Sequence, residues 1–209
     1  MLSVPKSKAK LFDGMAGNTG DKLIWLGTHQ WLHNLPLTTE LNGEGTIVFP
    51  GSGVSTRQWE RGWFWKGASY DKIVVLPAMG EETPTVRKFL NKPNVIAYAR
   101  DKTSNIPGTI LAKDLALKAF PHEVVPGTGT LEAWRHQPGD ISLEIPSLKA
   151  WLNTIARHAE IHTDRLHVTV AALMMGKRVR YKHQKGHVNN KIKDYLEYNF
   201  PHQTLATPW

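Results

Sequence analysis

The sequence contains no cysteine. Disulfides and thiolate metal ligands are therefore excluded, and a reducing compartment is compatible with that absence. It also has no apolar run approaching the ~20 residues that a membrane-spanning helix needs. The opening M-L-S-V-P-K-S-K-A-K holds no secretory hydrophobic stretch, so a cytoplasmic location and no membrane span are expected. Acidic residues are the minority: 18 Asp and Glu against 26 Lys and Arg leave a net charge of +8. That excess favours an acidic partner, whether nucleotide, phosphorylated sugar, nucleic acid or anionic head group, without choosing among them. Several catalytic motifs are missing as well. The glycine loop G-M-A-G-N-T-G-D at Gly14–Asp21 lacks the G-K-[ST] ending of a Walker A loop and fails the G-x-G-x-x-G spacing. There is no H-E-x-x-H and no G-x-S-x-G. His158 and His162 stand four apart, but a continuous helix between them is doubtful, so no metal site and no cofactor are expected.

What is present is an ordinary globular composition, with 209 residues, 41% hydrophobic and 21% charged. That length suffices for one large domain or two small lobes. Short apolar strands are expected at Leu11–Phe12, Thr46–Phe49, Lys72–Pro77, Asn94–Ala99, near Ile110, Leu131–Trp134, Ile161–His162 and Arg178–Tyr181. Helices are expected from Asp21 to His33, Thr83 to Leu90, Leu148 to His158, through Val168–Met175, and from Asn189 to Phe200. The alternation implies a mainly parallel, three-layer α/β architecture. Pro121–Gly129 reads as a linker, dividing an N-terminal lobe, 1–120, from a C-terminal lobe, 121–209. The tail from Pro201 is expected to be loosely held.

The chain is organised around Thr163-Asp164-Arg165-Leu166-His167. Leu166, Val170, Leu173 and Met174 suit one face of a helix that Gly176 closes. The polar cluster then falls at the helix N-terminus, where free N–H groups and the dipole favour an anion. Arg165 can fork onto a carboxylate or phosphate, and His167 can transfer a proton near neutral pH. Elsewhere, the glycine loop before the first long helix and Gly51-Ser52-Gly53 allow close approach of backbone to a ligand. Arg100-Asp101, with Ser104 nearby, lies at a strand's carboxyl end, where open α/β sheets bind ligands, although a structural ion pair explains it equally. The stretch Arg57–Lys66 interleaves Trp59, Trp63, Phe64 and Trp65 with Arg57, Arg61 and Lys66. It could stack bases or sugars, or fill the lobe's core.

The order of these motifs resembles the polysaccharide pyruvyl transferase family. The similar features are G-N-T-G-D at Gly17–Asp21, I-V-F-P-G-S-G at Ile47–Gly53, K-I-V-V-L-P-A-M-G at Lys72–Gly80 and A-R-D-K-T-S at Ala99–Ser104. A-K-D-L-A at Ala112–Ala116, Trp134-Arg135, T-D-R-L-H with its helix, and Lys191 in the closing helix follow in the same order. The resemblance implies two Rossmann-like lobes in a glycosyltransferase-B-like arrangement, with the second lobe shortened. It implies transfer of a pyruvyl group from phosphoenolpyruvate to a sugar-containing acceptor, with Arg165 and His167 at the donor site. Arg100 and Arg135 are then candidates for further anion contacts, and Asn18, Gly20 and Asp21 for the acceptor or the cleft lining. Gly51, Ser52, Gly53, Thr163 and Lys191 complete the candidate substrate-binding set. Val168 after R-L-H and Lys177-Arg178 after Gly176 depart from the family pattern. Two rival readings stay open: a nucleotide-sugar-dependent glycosyltransferase, with a nucleic-acid or modified-base acceptor as one option, and a non-catalytic nucleic-acid-binding protein on the same scaffold.

Overall fold

The computed structural model describes residues 8–13, 18–51, 69–78, 83–102, 105–119, 124–135, 138, 140–182 and 191–208. Ser52, Gly53, the Trp/Arg stretch Arg57–Lys66, Ser104, His183, His187 and the Lys191 side chain lie outside that description.

Two parallel sheets flanked by helices form a two-lobe Rossmann-like α/β fold. The first sheet takes β1 (Ala9–Phe12), β2 (Leu37–Thr38), β3 (Thr46–Phe49), β4 (Lys72–Ala78), β5 (Val95–Ala99) and β6 (Thr109–Leu111), in the order β2-β1-β3-β4-β5-β6. Helix α1 (Thr19–Trp31) follows β1, and α2 (Pro84–Leu90) precedes β5. The second sheet has the order β10-β9-β8-β7, from β7 (Thr130–Ala133), β8 (Glu160–Thr163), β9 (Arg178–Tyr181) and β10 (Ala206–Pro208). Its helices are α3 (Ile141–Glu144), α4 (Leu148–Ala156), α5 (Leu166–Met174) and α6 (Lys191–Asn199).

The first sheet is buried on both faces. Val48, Val74 and Leu76 face one hydrophobic cluster, while Ile47, Phe49, Ile73 and Val75 face another. This explains why T-I-V-F and K-I-V-V-L read as unbroken apolar runs. Pro77 interrupts β4 without an N–H to donate, and the pairing with β5 shifts register between Val75 and Ala78. In the second sheet Ala133, Ile161, Val179 and Tyr181 face the core, while Glu132, His162, Arg178 and Arg180 take the alternate positions. The first of the two clusters includes Leu23 and Ile24 of α1, Val74 of β4, Trp151 of α4, Val170 of α5 and Tyr195 of α6. The core on that side is therefore continuous across both sheets.

Three expectations are corrected. Helix α5 is buried along its whole length, not on one face, because α1, α4, α6 and β8–β9 all pack around it. Gly176 does close it, at φ +71, a left-handed conformation that glycine adopts without strain. The C-terminal tail is not loose: β10 pairs in parallel with β9, Ala206 opposite Val179. Asp140 begins a one-turn helix, α3, that the hydrophobic pattern did not announce. The described end of the linker is tied to the second lobe, since Lys177 Nζ donates to the carbonyls of Val125 and Ala156 at 2.5 and 2.7 Å.

Candidate active site

Where β8 ends, Thr163 anchors the turn into α5. Its hydroxyl donates to the Ala133 carbonyl of β7 at 2.7 Å and accepts from the Arg165 N–H at 3.0 Å. Asp164 reaches across to accept from the Arg135 N–H at 2.7 Å, tying the end of β7 to the same turn. Arg165 is the N-cap of α5 and makes no side-chain cap. Its guanidinium instead forms a two-pronged pair with Asp140, Nε to Oδ1 at 3.1 Å and Nη2 to Oδ2. Both residues are buried. Asp140 was not among the candidate residues. The one signal for it was an aspartate just ahead of I-S-L-E, and its carboxylate leaves the N-cap of α3 unsatisfied in order to hold Arg165.

His167, in the first turn of α5, meets groups from the other sheet. Arg100, at the end of β5, places Nη1 3.3 Å from His167 Nε2. An arginine nitrogen only donates, so Nε2 accepts, and in the neutral ring the proton sits on Nδ1. That nitrogen faces Asp21 of α1, 3.7 Å from Oδ1. Asp21 is held in place by the start of its own helix: the Asn18 N–H donates to its Oδ2 at 3.1 Å, and the Asn18 side chain accepts from the Gly20 N–H at 2.8 Å. Glycine at position 20 is a requirement of this contact, since a Cβ there would stand 2.8 Å from His167 Cβ and 3.1 Å from its Nδ1. Asp21 and His167 are both buried, at 7% and 8% exposure.

Behind His167 lies a fully buried charged cluster. Arg100 Nε is 3.5 Å from Asp101 Oδ2 and Nη1 is 3.7 Å from Asp114 Oδ2. The Tyr195 ring of α6 lies under the guanidinium, and the Asn199 amide donates to the Arg100 carbonyl at 3.0 Å. Burial pushes the Asp114 carboxyl up, opposed by Arg100 and by the Ala116 N–H, which bonds it at 2.8 Å. Burial likewise raises the Tyr195 hydroxyl well above its usual value, with Asp114 adding to the rise. Tyr195 and Asn199 carried no recognisable sequence signal, because a tyrosine and an asparagine in a closing amphipathic helix look like ordinary core and cap residues.

Arg135 differs from both other arginines. Among the described residues its guanidinium makes no hydrogen bond or ion pair, and its Nε is buried. Burial lowers its proton affinity first and the neighbouring Arg165 second, with Asp164, Asp140 and Asp21 opposing. Gly51 follows β3 on the same edge, but its missing side chain serves the backbone: a Cβ would stand 2.0 Å from the Pro77 carbonyl oxygen. The structure thus brings together Asn18, Gly20, Asp21, Arg100, Arg135, Thr163, Arg165 and His167, at the carboxyl ends of β1, β5, β7 and β8. Open parallel sheets bind ligands along that edge, beside a switch in strand order such as β1 presents between β2 and β3.

Residues 88–181, which contain Arg100, Asp114, Arg135, Asp140, Arg165 and His167, match one family model, polysaccharide pyruvyl transferase. Over that segment the chain is similar to the polysaccharide pyruvyl transferase family. The match includes the R-L-H corner and the β5 end, and it stops short of α1 and α6, which supply Asp21, Tyr195 and Asn199. No curated protein matches the chain. Among solved structures, the chain is similar to a functionally uncharacterized protein from Klebsiella pneumoniae subsp. pneumoniae NTUH-K2044, with a TM-score of 0.74 and 16% identity over 96% of this chain and 92% of that one. That likeness concerns the fold. The segment that matches the family model therefore sits within a two-lobe architecture similar over most of its length to that of another protein.

Proposed function

We propose that the protein transfers a pyruvyl group from phosphoenolpyruvate to two hydroxyls of a sugar-containing acceptor, releasing phosphate and leaving a ketal. The observation that carries this reading is the Arg135 guanidinium, half-buried, without a partner among the described residues and next to the His167–Asp21 pair's own edge of the fold. A desolvated cation of this kind binds a carboxylate or phosphate with little competition from water. Arg165 is satisfied by Asp140, so its part is to fix the start of α5, and the donor's anion falls to Arg135 beside that helix start.

The chemistry balances with the groups present. Asp21 takes the proton of an acceptor hydroxyl as that oxygen bonds to the central carbon of the donor, and hands it to the donor's methylene carbon, while the His167 Nδ1–H facing that carboxylate steadies its charge. The bond from carbon to phosphate oxygen then breaks, and phosphate departs with the electron pair. The second hydroxyl adds to the same carbon, and its proton passes to Asp21 and leaves with the phosphate. Burial of both groups strengthens their mutual influence relative to water.

Thermal unfolding with phosphoenolpyruvate tests the donor. A ligand at ~100 times its Kd stabilises the native state by about 2.7 kcal/mol, enough for a clear rise in Tm. Wild type should show that rise and a folded Arg135→Ala protein should lack it. A rise retained in Arg135→Ala removes Arg135 from the donor site. A rise with nucleotide sugars and none with phosphoenolpyruvate moves the protein to glycosyl transfer.

A further inference from the structure

We propose that Arg100 is a positioning residue which fixes the tautomer of His167, and that Asp101, Asp114, Tyr195 and Asn199 hold it there. The proposal deepens the reading of His167 and Asp21 as the proton-handling pair, and its test needs neither donor nor acceptor. Arg100 is 1% exposed, so it has no surface to offer a substrate. Asp101, Asp114 and Tyr195 are no more exposed than that, and Asn199 is 8% exposed. Two carboxylates on the β5–β6 side set the position of the guanidinium at 3.5 and 3.7 Å. From the opposite side α6 supplies the Tyr195 ring, 5.8 Å away, and the Asn199 amide. Asn199 also accepts from the Asp114 N–H at 3.3 Å and donates to the Tyr195 carbonyl at 3.1 Å, which locks the helix to the β6 turn.

The consequence is chemical rather than merely structural. A neutral imidazole has one donor and one acceptor nitrogen, and the second partner decides which is which. With Arg100 donating to Nε2 at 3.3 Å, only Nδ1 carries the ring proton, and Nδ1 is the nitrogen beside Asp21 and packed closely against Gly20. The opposite tautomer would set an N–H of the ring against an N–H of Arg100. A helix from the C-terminal lobe thereby determines which atom of His167 presents its N–H to Asp21.

The experiment is nitrogen NMR on the full chain with labelled histidine, assigning His167 by the signal lost in His167→Gln. Two-bond proton–nitrogen correlations distinguish the two neutral tautomers. The wild-type ring is expected in the Nδ1–H form, and an Nε2–H ring overturns the proposal. Arg100→Lys keeps the charge between Asp101 and Asp114 but loses the fork that reaches Nε2. It should shift His167 toward the Nε2–H form, and an unchanged Nδ1–H ring also overturns the proposal. If Arg100→Lys does not fold, Asn199→Ala replaces it, with a rise in the Nε2–H fraction expected and no rise counting against. Failure of phosphoenolpyruvate to bind would leave all of these outcomes readable.

Discussion

Arg165 and Arg135 stand in one corner of the molecule, yet their guanidinium groups are in opposite states. Arg165 is held in two prongs by Asp140 with side-chain exposures of 10% and 3%, whereas Arg135 has no such partner among the described residues. A buried pair contributes little net stability when complete, but removing one partner strands a charge in a poorly solvated place. Asp140→Ala is therefore expected to cost about 3–5 kcal/mol in denaturant unfolding, while Asp140→Leu combined with Arg165→Met should regain most of that. A single-variant loss below ~1 kcal/mol would mean that the pair does not form in solution. Both residue types were visible in the sequence. Which arginine is spoken for was not, because Asp140 lies 25 positions from Arg165 and only the folded chain, with α3 packed on α1, brings the two together.

At the scale of elements, the two sheets handle their faces differently. In the second sheet one side of β7–β9 carries Glu132, Glu160, His162, Arg178 and Arg180. His162 bridges Glu132 and Glu160 at 2.6 and 3.0 Å, and Glu160 also meets Arg178 and Arg180 at 3.4 and 3.0 Å. The His162 hydrogen bond, then the two arginines, hold the Glu160 carboxyl below its usual range. A carboxyl lowered in the native state stays ionised where the unfolded chain has already taken up its proton. Its contribution to stability is thus present above the ordinary glutamate value and fades as pH falls through the lowered native one. Glu160→Gln should therefore be less stable than wild type at neutral pH, with the gap closing under acid. A gap that stays constant in unfolding curves from pH 7 to pH 3 would show that the network adds nothing. The alternation of strands and helices announced mainly parallel pairing. It did not announce that this pairing would here coexist with a charged face instead of a second helical layer among the described residues.

At the scale of the whole molecule, the cluster from Leu11 through Trp151 to Tyr195 joins the two sheets. Residues 1–120 and 121–209 are thus expected to unfold together, in one calorimetric transition with matching calorimetric and van't Hoff enthalpies. Two resolved transitions would show that the lobes are independent. Nearly every described strand and helix was legible in the sequence, because apolar runs and alternations state locally which side must leave water. The exceptions were β2, α3 and β10, each four residues or fewer, too short for any period to register. The glycine loop ahead of α1, the R-D at the end of β5 and the R-L-H corner were likewise legible as polar groups at element ends. What only the tertiary structure decided was their pairing. Asp21 with His167, His167 with Arg100, and Arg100 with Tyr195 and Asn199 span separations set by how α1, α5 and α6 cross in the core. Local sequence specifies which way a residue faces. Only the closed core specifies what it meets there.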